Sequence, residues 1–186
     1  MSPFALWMPI LLSAVAVFIV SSIIHMVLRY HNSDYSKVPE EDRFLDALRG
    51  FDLPPGDYFV PRAETMKEMG SPEYIEKCKR GPVGFFTIMK PGAPNMGPQL
   101  LQWFLFSILV SIFAGYVARL TLPAGSEYMI VSRVTGVVAF CGYGLALIQG
   151  TIWYKRRWSS TLKSLFDALL YGLFTGGIFG WLWPGA

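Results

Sequence analysis

Two histidines, His25 and His31, lie six positions apart, with Asp34 close behind. An imidazole near a carboxylate can move protons around neutral pH or bind a metal ion. Six residues of continuous α-helix turn through about 600°, so the two rings are expected on different faces. A bis-histidine haem needs ligands on facing membrane helices, and the sequence has no third histidine. A zinc site needs three or four ligands. Only convergence in the fold could gather His25, His31, Asp34 and Cys78 into one. No metal ion and no cofactor is therefore expected. His25 should hydrogen-bond a neighbouring helix, and His31 should be exposed.

A second candidate set is a polar layer of His25, Gln102, Gln149 and Asp167, with Gln99 beside it. Ionisable groups inside a membrane are costly and often functional, which makes Asp167 the strongest single candidate. Its simpler role is an ion pair with Lys163, four positions earlier. At the opposite end, Glu127 is expected to pair with one of Arg119 and Arg133. No nucleophile elbow, zincin, Walker or dinucleotide motif occurs. Cys78 precedes Lys79 and Arg80, which favours a thiolate only weakly, and Cys141 reads as a packing residue.

The elements that must position these residues follow from the distribution of charge. The chain has 186 residues, 53% hydrophobic and only 16% charged, with mean hydropathy +0.39. Soluble domains average about 25% charged residues. The shortfall argues against an ordinary cytosolic protein, a disordered chain and a nucleic-acid binder. Of the 29 charged residues, 21 fall within 29–97. The rest of the chain holds four apolar blocks, about 4–28, 98–120, 130–154 and 162–183. Each is long enough to span a bilayer, and its backbone must hydrogen-bond internally, so each is read as a helix. The six tryptophans fall near the block ends, as expected at membrane interfaces.

Lys155, Arg156 and Arg157 lie between blocks three and four, with Trp153 and Trp158 flanking them as lipid-interface residues. The positive-inside rule then puts 29–97 and 155–161 in the cytoplasm and both termini outside. The first block lacks a basic leader and runs past its single A-x-A-like triplet, so it reads as a retained anchor.

Small residues recur every fourth position in the last three blocks. The clearest are Gly142 and Gly150 in the third, and Gly172, Gly176 and Gly180 in the fourth. Such stripes let membrane helices approach closely. The fourth stripe is expected to be used within the chain.

Residues 29–97 hold eight of the 13 prolines. Short helices are predicted at 39–49 and 71–79, with β-prone runs at 58–60 and 83–89. The expected fold is an all-α integral membrane bundle of four helices. Segment 1–28 forms the first span, 29–97 a small cytoplasmic cap, and 98–186 the other three spans. Its expected partners are the lipid bilayer and other membrane subunits or itself, without nucleic acid, in a bacterial plasma membrane. The leading functional expectation is a non-enzymatic accessory or assembly subunit. The alternatives are a small oligomeric transporter with a polar path at Asp167, and an enzyme acting on a lipid or quinone at the cytoplasmic interface through His25 or His31.

Overall fold

A computed structural model describes residues 3–185. Met1, Ser2 and Ala186, which the sequence reading assigned to the first and last segments, lie outside the described residues. Four helices are long and apolar enough to cross a membrane: Trp7–Leu28, Gly97–Thr121, Tyr128–Tyr154 and Trp158–Trp181. They match the four blocks in number and place. The chain divides into two compact units, 37–94 and the remainder.

In the larger unit, α1 (Trp7–Ser22) carries Pro9 in its first turn, where the missing N–H has no helical partner to lose. A π-helical stretch, Ile23–Leu28, completes the first span. The second span is α5 (Gly97–Thr121). The third is α6 (Tyr128–Phe140) and α7 (Leu147–Tyr154), joined by a π-helical stretch at Cys141–Leu145. The fourth is α8 (Trp158–Trp181), which starts four residues before the apolar block because Trp158, Ser159 and Ser160 form its first turn.

Helix α1 packs on α5 and α8, and α6 packs on the same two. The α6–α8 contact is the closest. A Cβ at Gly172 would lie 2.8 Å from the Gly136 carbonyl oxygen, and one at Gly176 would lie 2.5 Å from that of Ser132. Gly180 lies against the Tyr128 ring. The α8 stripe is thus used inside the chain. Gly142 instead faces Val110 of α5 at 3.1 Å. A Cβ at Gly150 would meet only the aliphatic chain of Arg156, at 3.5 Å.

Two apolar clusters fill the bundle. Val17, Ile24, Val110, Ala139, Tyr143, Ala168 and Tyr171 form one. Leu6, Ala114, Ala118, Val131, Phe179 and Trp183 form the other. Trp7, Trp153, Trp158 and Trp181 are exposed as interface anchors should be, but Trp103 and Trp183 turn inward. Their indole N–H groups donate to Ser21 Oγ (2.8 Å) and to the Pro123 carbonyl (2.9 Å).

The smaller unit contains α2 (Glu41–Arg49), β1 (Gly56–Val60), α3 (Met66–Met69), α4 (Pro72–Arg80) and β2 (Gly84–Ile88). The strands pair antiparallel, from Gly56 opposite Ile88 to Val60 opposite Gly84. Tyr58 stacks on Phe86 and Phe59 on Phe85 across the pair. Ser71 caps α4 by accepting from the Tyr74 N–H at 3.2 Å. The Tyr74 hydroxyl donates to the Pro61 carbonyl at 3.0 Å, which ties α4 to the end of β1. Sequence reading missed α3, whose Thr65 and Glu68 make a near capping box inside a run of breakers. No residue of 37–94 is fully buried.

Candidate functional site

The site is built by the way the first span ends. Ser21 and Ser22 donate their hydroxyls back to the Phe18 carbonyl, a bond that loosens the helix around it. The helix widens into the π stretch and stops at Arg29, whose φ of 53° is left-handed. The Arg29 N–H closes this end on the Ile24 carbonyl at 3.2 Å. The chain reverses there, and Tyr30–Asp34 forms a 3₁₀ turn that packs on α8.

The reversal returns His31 to the level of His25. Their rings stack with centroids 4.7 Å apart and an interplanar angle of 2°. The expectation of separate faces is corrected, because it assumed one continuous α-helix through position 31. The expectation of an exposed His31 is corrected too: only 15% of its side chain is accessible.

His31 bridges two carboxylates. Its Nδ1 lies 2.6 Å from Asp34 Oδ2, and its Nε2 lies 2.7 Å from Asp167 Oδ2. The Tyr30 hydroxyl donates to the other Asp167 oxygen. His25 Nδ1 lies 2.9 Å from the Ser21 carbonyl oxygen. That oxygen can only accept, so Nδ1 carries the proton and the neutral ring keeps its lone pair at Nε2. Asp167 is buried in α8, nine residues beyond Trp158, whereas His25 is exposed.

Lys163 does not pair with Asp167. Its ammonium donates to the Tyr30 carbonyl (2.8 Å), Ser33 Oγ (2.7 Å) and Asp34 Oδ1 (2.8 Å). These three bonds use all three of its donors. Burial pushes the Asp34 carboxyl up, but hydrogen bonds from Lys163, His31 and Ser160 outweigh it and hold the group at about 2.

Of the predicted polar layer, the structure joins His25 and Asp167 and leaves Gln102 and Gln149 exposed, outside the cluster. The interface group Trp153, Lys155, Arg156, Arg157 and Trp158 is exposed throughout. Among the described residues, no ion pair joins Glu127 to Arg119 or Arg133. Sequence reasoning missed Tyr30, and it missed Lys163 as a partner of the 3₁₀ turn. The available signal was Tyr30-His31-Asn32-Ser33-Asp34, five hydrogen-bonding side chains directly after an apolar span. One donor atom each from His25, His31 and Asp167 lies within 4.8 Å of the others, so these three residues could hold a metal ion. No protein-family model, curated protein or solved structure matches the chain.

Proposed function

We propose that the chain is a multi-pass protein of a bacterial plasma membrane that acts as an enzyme on a lipid or quinone at the cytoplasmic interface. Support for the bilayer comes from the four apolar helices, whose outward residues include Val27, Leu173 and Trp153. The basic run Lys155–Arg157 favours 155–161 and 29–97 inside and both termini outside.

The observation that carries the enzymatic reading is the stacking of His25 on the His31–Asp167 pair. Neutralising a buried carboxylate needs one histidine only. A second imidazole is placed beside it, fixed by Ser21 and exposed. A headgroup or quinone ring at the interface would have access to that exposed ring. A lone pair backed by a hydrogen-bonded carboxylate network suits drawing a proton from a hydroxyl, or holding an ion against it. The test is mass spectrometry of bacterial polar lipids and menaquinone incubated with the protein in nanodiscs. The wild type should convert one component, and the His25→Ala, His31→Ala double variant should not. Identical profiles for the two proteins end this reading.

An accessory-subunit reading is favoured by a different observation. The unit 37–94 leaves Phe44, Phe51, Met66 and Ile75 exposed and buries no residue fully. Such a unit gains stability when a partner covers its apolar side chains. Purification in mild detergent with mass measurement tests this, and a strictly monomeric particle counts against it. A transport path has less support, because Gln149 is exposed while Asp167 is buried and bonded to His31 and Tyr30.

A further inference from the structure

We infer that His25, His31 and Asp167 together bind a first-row divalent metal ion of the zinc or iron(II) class. The inference rests on reading this cluster as the working site, and it names the cofactor held there.

The argument runs through the hydrogen positions. Asp34 receives the Lys163 ammonium on one oxygen, so it is an ionised acceptor toward His31 on the other. His31 Nδ1 therefore carries a proton, and in the neutral ring Nε2 is a lone pair. That lone pair faces Asp167 Oδ2 at 2.7 Å. Two acceptors at this distance share a proton in the metal-free chain, and a metal ion would take its place with the two donors opening slightly. A proton joins only two of the three donors. A metal ion also uses the lone pair of His25, which the Ser21 carbonyl has left at Nε2.

The surroundings match those of metal ligands. Metal-binding imidazoles donate their second N–H to a carbonyl or a carboxylate, and ligating carboxylates are themselves hydrogen-bonded. Here His25 has the Ser21 carbonyl, His31 has Asp34, and Asp167 has the Tyr30 hydroxyl. Ligand bonds of about 2.0–2.2 Å place donors roughly 3–3.5 Å apart. The donors lie within 4.8 Å of one another, so binding needs His31 and Asp167 to part slightly and the exposed His25 ring to turn out of its stack on His31. Two imidazoles and one carboxylate suit zinc or iron(II) with open positions, whereas magnesium and calcium prefer all-oxygen shells. Water or a substrate oxygen would take the open positions.

The experiment uses the full chain in detergent with a histidine-free affinity tag, stripped by chelator and titrated with Zn²⁺ in a calorimeter. One zinc ion per chain is expected. His25→Ala, His31→Ala and Asp167→Asn should each weaken binding by about 100-fold or more, and Asp34→Asn by about 10-fold. Substoichiometric uptake by the wild type, or wild-type affinity in His25→Ala, overturns the inference. Should the variants not fold, ¹⁵N-histidine NMR of the wild type decides, since the chain has only two imidazoles. Zinc must shift the Nε2 resonances of both rings, and a shift in one ring or neither overturns the proposal. Zinc uptake without lipid conversion leaves this inference standing and ends the enzymatic reading. Lipid conversion by a protein that takes up no metal does the reverse.

Discussion

Lys163 and Asp34 meet at 2.8 Å across 129 positions of sequence. The contact fastens the 3₁₀ turn after the first span to the last helix. Because the folded carboxyl titrates at about 2, below its ordinary value of 3.8, its stabilisation is complete above that value and is lost as pH falls through 2.

The thermal midpoint in detergent should therefore carry a component that is flat from pH 7 to about 5 and falls between about pH 4 and 2. Asp34→Asn should lower the neutral plateau by several degrees and remove that component. The difference between the wild-type and variant melting curves across pH measures it. An unchanged acid decline in the variant refutes the assignment to Asp34.

His31 lies between two carboxylates, and removing it leaves buried Asp167 with the Tyr30 hydroxyl alone, while Asp34 keeps Lys163. His31→Ala should cost about 3–5 kcal/mol, the usual penalty for orphaning a buried charge. Asp167→Asn in the same background should recover part of this loss. Unfolding in mixed detergent micelles, run as a double-mutant cycle, gives the coupling. Strict additivity would show that the two groups do not interact.

The α6–α8 contact leaves no room for side chains at two glycines. Gly176→Leu should destabilise by about 3 kcal/mol or more, because backbone must move to admit it. Gly177→Ala meets only the Tyr128 hydroxyl at 3.4 Å and should stay near wild type. The yield of folded protein after detergent extraction ranks the two.

Trp103 and Trp181 look alike in the sequence and differ in the fold. Trp103→Phe removes the bond to Ser21 and should cost about 1 kcal/mol. Trp181 is 72% exposed and makes no such bond, so Trp181→Phe should leave stability unchanged in the same assay.

Sidedness is open to chemical labelling, because the chain has two free cysteines. With Cys141→Ser as background, a membrane-impermeant maleimide should modify Cys78 in inverted vesicles and not in intact spheroplasts. Labelling in spheroplasts would reverse the proposed orientation.

The four spans were legible because their signal is long: about twenty apolar residues each, with charge gathered elsewhere. Helix α4 and the strand pair were legible from Ser71, Pro72 and Gly81, and from β-prone runs between breakers. The site was legible only in part. Asp167 and His25 stood out as rare ionisable groups, but Gln102 and Gln149 looked equivalent to them. Glutamine tells little about helix rotation, and both side chains face outward. The meeting of His25 and His31 could not be read from periodicity. It depends on a π-helical stretch and on a left-handed Arg29, a conformation that residues other than glycine rarely adopt. Lys163 was assigned to its own helix, because a contact 129 positions away leaves no mark on local spacing.

The docking of the 3₁₀ turn on α8 also fixes the relative height of two spans. Five hydrogen bonds join residues of Tyr30–Asp34 to Lys163 and Asp167. The first span cannot slide along the last without breaking them together.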